Sequence, residues 1–385
     1  MSGAVRSGID FTGTQTAYRI YGYITNAGTP LSGVTVSCTG QPNTTTNASG
    51  YYEFVGLSNS TYTVIPSGLG YTYVPANASV TVSSADQRQD FVTVVLNALL
   101  FTSSRDGNPE TYVANADGTG QRRITNDAAM DTDPALSPDG TTIAYATNRD
   151  GNYEIYTIDV AGNVSSRTRL TNAAGMDWGP TWTSMIGPPA GYANRILFVS
   201  DRTGSRKIWK MNPDGTGQAQ VTTGAGNDQF PTIGNVTNLN GINEGWVIIF
   251  ASDRGTGNGN DGLYFKNLST GVEGPVIASN PAVNMTEPRI SPNYQYVAFS
   301  SDAAGNAQII LLTLSNLAQV TRAANAAADY QPSWVVGDNT TIYFVSERTG
   351  APQVWSVYKP PILPEVLAQL TTSGDNWQIG RRTFP

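Results

Sequence analysis

The 385-residue sequence contains no histidine and a single cysteine, Cys38. Without imidazole there is no Ser-His-Asp triad, no Cys-His pair and no histidine-bound metal. One cysteine forms neither an internal disulfide nor a thiolate cluster. Charge is scarce as well, at 13% of residues, with 22 basic and 29 acidic side chains and a net charge of −7. A chain this acidic has no electrostatic means of holding a polyphosphate, which excludes nucleic-acid partners. No apolar run reaches the roughly 18 residues of a transmembrane helix. The opening MSGAVRSGIDFTG lacks the basic start and apolar core of a signal peptide, so the sequence reads as a mature or a cytoplasmic chain. What is abundant is glycine, 40 residues, with serine, threonine and asparagine. That composition suits short strands and turns and is common in exported proteins.

Residues 17–97 read as a small β-sandwich. Alternating or β-branched runs occur at Tyr18–Thr25, Val34–Cys38, Tyr51–Val55, Tyr62–Ile65, Val80–Ser83 and Phe91–Leu96, separated by turn signals such as Asn26-Ala27-Gly28 and Asn47-Ala48-Ser49-Gly50. The wording IYGYITNAGTPLSGVTVSCTG, TTTNASGYYEFVGLSNSTYTVIPS and GYTYVPANASVTVS resembles the carboxypeptidase regulatory-like family of prealbumin-type sandwiches. The resemblance implies a spacer, adhesive or stabilising module of surface proteins, without catalysis of its own. The first lysine is Lys207, so a Lys–Asn isopeptide crosslink within this domain is excluded.

From about residue 98 the chain repeats itself. An Arg-[Asp/Thr]-Gly anchor recurs at Arg105, Arg149, Arg202, Arg254 (as DRGTG) and Arg348, with Ala303 in the equivalent place of a sixth copy. Four residues before each anchor stands Phe101, Tyr145, Phe198, Phe250, Phe299 or Phe344. Seven after it stands Tyr112, Tyr156, Trp209, Ile310 or Trp355, and ten after it, in the fourth copy, Tyr264. A third strand ends each copy at a pair such as Ile124-Thr125 or Leu170-Thr171, and a fourth begins near Pro134, Pro180, Pro231, Pro288 or Pro332. That is five prolines for six copies. The first copy opens at Leu99 with no such strand before it, and the last segment, Trp377–Pro385, has nothing after it. Ring closure resolves both, with the C-terminal strand completing the first unit, because radial four-stranded sheets leave only short edges. The expected fold is all-β: residues 98–385 as a six-bladed β-propeller closed by the C-terminal strand, preceded by a small N-terminal β-sandwich.

The segments NADGTGQRRITNDAAMDTDPALSPDGTTIAYATNRDGNYEIYTID and SDRTGSRKIWKMNPDGTGQAQVTT resemble the TolB-like propeller family. Family members dock other proteins in the periplasm or cap the catalytic domain of certain serine peptidases. No hydrolase domain accompanies the repeat here, so the resemblance implies a non-catalytic protein with a protein or glycan partner.

Several residues invite chemistry. Asp117-Gly118-Thr119-Gly120 and Asp214-Gly215-Thr216-Gly217 lack the lysine and helix of a phosphate loop and read as hairpin turns, as do the RDGN segments. Asp131, Asp133, Asp177, Asp228, Glu287 and Asp329 precede the repeat prolines. Facing a central channel, they offer oxygen ligands for Ca²⁺ or acids for glycoside chemistry; the alternative is that each caps backbone amides of the neighbouring blade. No other cofactor is expected. Trp178 and Trp377 fall outside the strand-core pattern and are the candidates for an exposed ligand surface. Asn43, Asn47, Asn59 and Asn77 head glycosylation sequons in the N-terminal domain.

Residues 1–16 form an arm outside the sandwich pattern. Its apolar positions Val5, Ile9 and Phe11 alternate with polar ones, the pattern of a half-buried strand. The sequence therefore points first to an exported structural protein of the cell surface or extracellular space that self-assembles by strand addition through this arm into a homo-oligomer, filament or layer. The alternative is a monomeric scaffold at the cell envelope, the periplasm included, that binds a protein or glycan.

Overall fold

The computed structural model describes residues 17–26, 29–67, 72–75, 77–94, 99–160, 162–184, 187–255, 259–322, 326–335, 339–358, 365–372, 376–379 and 381–382. The chain divides into two compact units, residues 1–95 and 96–385.

The first unit consists of two sheets. One pairs Tyr18–Asn26 with Tyr51–Leu57 on one side and with Gln87–Arg88 and Phe91–Val94 on the other. The second has the order Gln41–Thr45, Thr35–Cys38, Ser60–Ser67, Ala78–Val82. Strand alternation sends Ile20, Ile24, Tyr52 and Phe54 of one sheet, and Val36, Val64, Val80 and Val82 of the other, into one buried cluster. Cys38 lies in that cluster as a free thiol, and burial pushes its pKa up. Sequence alternation missed Gln41–Thr45 and Thr72–Val74 because their residues are polar or interrupted and they lie at sheet edges.

The second unit holds six sheets among the described residues, each built as a leading, second, third and trailing strand. The second strands, Leu99–Ser103, Thr142–Thr147, Ile196–Ser200, Gly245–Ser252, Tyr296–Ser301 and Thr341–Ser346, carry the first repeat aromatic at their centre. All six of these rings are 0% exposed. Both faces of these strands are covered, which is why they read as continuous apolar runs rather than alternating ones. The trailing strands of the first three sheets have only two residues each, Arg122–Arg123, Thr168–Arg169 and Ala219–Gln220. The threonine that follows each, Thr125, Thr171 or Thr222, accepts a hydrogen bond from an N–H of the third strand, at Thr111 (3.0 Å), Ile155 (2.8 Å) and Ile208 (3.1 Å).

Hydrophobic clusters join the sheets in sequence. Leu136, Tyr145 and Ile158 meet Leu100 and Val113 between the second and first sheets. Further clusters lie between each later pair. A last cluster joins Tyr343, Val345 and Val354 of the sixth sheet to Leu99, Phe101 and Tyr112 of the first. The leading strand of the first sheet is Asn376–Ile379, which pairs antiparallel with Leu99–Ser103. Beyond it the chain does not continue that strand toward the terminus as expected. Arg381–Arg382 instead pairs in parallel with Ala135 and Leu136 of the second sheet.

Deleting residues 376–385 uncovers the edge of Leu99–Ser103 and removes Ile379 from its cluster. The expected loss is several kcal/mol, on the scale of a domain's whole stability of about 5–15 kcal/mol. Chemical denaturation measures it, and a truncated chain as stable as the parent contradicts the pairing.

Candidate functional site

The repeat anchors and the two repeat aromatics form one constellation. Each anchor arginine lies two residues beyond its second strand and folds back over it. Arg202 donates Nε to Ser200 (2.8 Å), Nη1 to Gln218 (2.6 Å) and Nη2 to Asp177 (2.5 Å). Arg254 does the same with Ser252 (3.0 Å), Glu273 (2.7 Å) and Asp228 (2.7 Å). The guanidinium carbon of Arg202 lies 5.5 Å from the centre of the Phe198 ring and 4.6 Å from that of Trp209. Arg105 holds the same position between Phe101 and Tyr112, and Arg348 between Phe344 and Trp355. The aromatic spacing of four and seven residues is thus the spacing of an arginine cage, stabilised by cation–π contact and charge-assisted hydrogen bonds.

Four of the six acids before the prolines, Asp131, Asp177, Asp228 and Asp329, belong to this cage, while Asp133 and Glu287 stand apart from it. Asp131, Asp177, Asp228 and Asp329 each begin a leading strand and are 0% exposed. Each faces the guanidinium of its own sheet, Arg149 (3.1 Å), Arg202, Arg254 or Arg348 (2.9 Å). Among the described residues, no three His, Cys, Asp or Glu side chains are grouped to hold a metal. Capping of a neighbouring blade's amide occurs at Glu287, which accepts from the Gln331 N–H at 2.7 Å. Burial holds the Asp131 carboxyl up at about 6, outweighing the Thr147 hydrogen bond and Arg149. Asp261, hydrogen-bonded to Gln229 at 2.6 Å, is likewise pushed by burial to about 6.

Two sheets depart from the rule, and both departures are internally consistent. In the first sheet the aspartate position is Asn376 of the C-terminal strand, whose Oδ1 accepts from Arg105 at 2.5 Å. In the fifth sheet the aspartate is replaced by Met285, the arginine by Ala303 and the second aromatic by Ile310, so the ion pair and one ring are absent together while Phe299 stays. Sequence reading placed the anchors but not their partners, because the partner precedes its arginine by 18 to 26 residues in four sheets and follows it by 271 in the first.

Five of the six leading strands share a second feature. Their third residues, Asp133, Gly179, Phe230, Glu287 and Gln331, have φ between 52° and 60° and precede the repeat prolines at a register shift. The proline therefore marks a β-bulge. The Asp-Gly motifs are turns, as read, and they also carry close contacts between sheets. A Cβ on Gly118 would lie 2.3 Å from the Leu370 carbonyl oxygen of the sixth sheet, and one on Gly215 would lie 2.6 Å from that of Leu170 in the second. In the RDGN turns, Asn108 and Asn152 donate to carbonyls of the following loop. Lys207 does this for Gly224 and Gly226 in the third sheet.

Trp178 is half-buried against the cluster of Ala135, Ile196 and Phe198. Trp377 stands opposite Thr102, and its side chain lies outside the described residues. Asn43, Asn47, Asn59 and Asn77 are exposed. The arm residues Val5, Ile9 and Phe11 lie outside the described residues.

An exposed tyrosine face on the first unit was not anticipated. Tyr21, Tyr23 and Tyr51 cluster there, with ring centres 6.3 Å and 5.4 Å apart for the pairs with Tyr51. Arg19 lies over Tyr21 at 4.8 Å and Arg88 over Tyr23 at 5.2 Å. Beside them is an open cavity of about 610 Å³ lined by Tyr23, Thr25, Arg88, Asp90 and Val92. The alternation of Arg19, Tyr21 and Tyr23 with Ile20, Gly22 and Ile24 was the available signal.

Arg202→Ala leaves Asp177 buried without its partner, and is expected to cost about 3–5 kcal/mol in urea unfolding. Asp177→Met combined with Arg202→Ala reproduces the fifth sheet and is expected to recover most of that loss. A double variant no more stable than the single one contradicts the account.

Stability also carries a pH signature. A carboxyl whose folded pKa is raised stabilises below its unfolded value of about 4, and that contribution is lost as pH rises through about 6. Asp261→Asn is expected to flatten this fall and to gain about 2–3 kcal/mol at neutral pH. Unfolding midpoints between pH 4 and 8 that fall equally in both proteins contradict the assignment.

Residues 19–97 match the family model of the carboxypeptidase regulatory-like domain, and residues 96–168 match that of the TolB beta propeller domain. A TolB homolog of Chlorobium luteolum is 36% identical over 173 residues, 45% of this chain and 35% of its own length. A TolB homolog of Chlorobaculum tepidum is 31% identical over 128 residues, 33% of this chain and 27% of its own. The chain spans about a third of the length of the curated relatives it matches. The crystal structure of TolB from Acinetobacter baumannii is similar with a TM-score of 0.58 at 15% identity, over 74% of this chain and 67% of that one. At that identity the likeness is one of fold. The chain joins a carboxypeptidase regulatory-like domain to a TolB-like β-propeller.

Proposed function

We propose that the chain is a non-catalytic binding scaffold working outside the cytoplasm. Its propeller has six blades closed by the C-terminal strand, and its sandwich module docks a partner protein. The tyrosine face carries the reading. Tyrosine and arginine are the side chains that most often dominate protein interfaces. Here they stand on one sheet face with exposed Val55 and Val92. The charges on that face are paired among themselves, Arg19 with Asp86 at 2.8 Å and Arg88 with Asp90 at 2.8 Å. A face that is apolar, aromatic and internally neutralised fits a protein surface better than a polyanion or a lipid headgroup layer. The absence of histidine and the engagement of the buried aspartates by arginine support the non-catalytic part. Low charge and one buried thiol support the location. The exposed sequons at Asn43, Asn47, Asn59 and Asn77 are proposed as glycan attachment points in a host that modifies exported proteins.

The test is a photo-crosslinker at position 23 in native envelope or culture fractions, followed by reconstitution with the purified captured protein. The expected result is a defined complex whose Kd rises about 30-fold or more in Tyr23→Ala/Tyr51→Ala, with unchanged melting. A chain that yields no adduct at position 23 contradicts the reading. A polymer that dissolves when residues 2–14 are removed also contradicts it and favours self-assembly through the arm.

A further inference from the structure

We infer that the propeller carries a binding site for a neutral saccharide between its fourth and fifth sheets. A cavity of about 410 Å³ lies there, lined by Thr237, Asn238, Asn293, Tyr294, Gln295, Tyr296, Thr313 and Ser315. That volume falls in the range of small-molecule sites, about 300–1,000 Å³. The lining contains hydroxyls, amides and two phenol rings, and no charged side chain. Such a set matches a ligand whose polar groups are uncharged donor–acceptors spaced over an apolar ring face. It offers no opposite charge to a phosphate, a carboxylate or an ammonium group. The side chains of Thr237, Gln295 and Ser315 are exposed at the cavity, and those of Tyr296 and Thr313 are half-buried.

The cavity is walled by an elaboration of the repeat. In the fourth sheet the leading and second strands extend to nine and eight residues, Asp228–Val236 and Gly245–Ser252. The loop between them is held by a bridge between Leu239 and Ile242 and by the Asn240 N–H donating to the Leu314 carbonyl at 2.8 Å. Leu239 is buried in the cluster shared by the two sheets. The loop is thereby fixed against the turn of the fifth sheet that contains Ser315.

The opposite wall repeats a turn found in the second sheet, with altered chemistry. There, Ser137-Pro138-Asp139-Gly140-Thr141-Thr142 bonds the Gly140 N–H to Ser137 O and the Ser137 N–H to Thr142 O, both closing the turn. In the fifth sheet, Ser291-Pro292-Asn293-Tyr294-Gln295-Tyr296 makes the same two bonds. Asparagine has replaced the acid, tyrosine the glycine, and glutamine and tyrosine the two threonines. Tyr294 keeps the left-handed conformation, at φ 59°, where the second sheet has Gly140 at φ 72°. A non-glycine residue in that region stores strain, and such strain collects at ligand sites. The substitutions remove charge and add aromatic and amide surface in one place. This inference is independent of the protein-docking face proposed above, which is on the other unit.

The test titrates the full chain with maltose, cellobiose, lactose and N,N′-diacetylchitobiose, and with digalacturonate as the charged control, by saturation-transfer NMR and calorimetry. The expected result is that at least one neutral disaccharide binds with a Kd in the millimolar range or tighter, while digalacturonate does not. Gln295→Ala with Ser315→Ala, both exposed positions, is expected to weaken binding at least tenfold with unchanged melting. Tyr294→Gly restores the turn's glycine and is expected to abolish binding while the chain stays folded. Failure of every neutral probe below about 10 mM overturns the inference, as does equal binding of the charged control or binding unchanged in the Gln295/Ser315 variant.

Discussion

The structure of the propeller depends on a buried aspartate held against an arginine whose flat faces meet aromatic rings. Each partner is contributed by a different strand, so the pair ties the leading edge of a sheet to the turn that follows its second strand. Taking both charges out of water is costly, and a partly buried pair is tolerated where further hydrogen bonds engage the arginine's nitrogens. Arg254 shows this fully, with Ser252, Glu273 and Asp228 accepting from its three nitrogens. The fifth sheet shows the alternative solution. Met285, Ala303 and Ile310 replace the charges and one ring together, and an apolar pocket is left with no orphaned ion. A partial loss would strand a charge in the interior.

The same logic identifies the C-terminal strand. Asn376 lies where the other sheets have aspartate, fully buried and bonded to Arg105. A neutral amide accepts that hydrogen bond with less desolvation cost than a carboxylate. The sixth sheet also bonds to the first: its Tyr343 hydroxyl donates to the Ala116 carbonyl at 2.9 Å and its Leu370 carbonyl accepts from Gln121.

Much of this was legible because buried rings and turn glycines recur at fixed spacing. Phe101 through Phe344 are visible in the sequence since a covered strand tolerates little else at its centre. The acids before the prolines were seen, and the capping reading holds at Glu287, but the arginine partners of four were missed, because sequence distance hides that Asp177 and Arg202 share one sheet. The two-residue trailing strands, such as Arg122–Arg123, have too little pattern to be read as strands at all. The tyrosine face escaped notice for a different reason. Tyr21 and Tyr23 look like core residues until the opposite parity, Ile20 and Ile24, is placed inside. The arm and the side chain of Trp377 stay readings of the sequence alone.

In the second unit, buried charge ties the leading strand of a sheet to the turn after its second strand. The proposed closure of the propeller by its C-terminal strand is tested most directly by hydrogen exchange measured by mass spectrometry. The account predicts that amides of Asn376–Ile379 exchange as slowly as those of Leu99–Ser103 and open with them in one cooperative step. Rapid, independent exchange of the C-terminal strand while Leu99–Ser103 stays protected would contradict it.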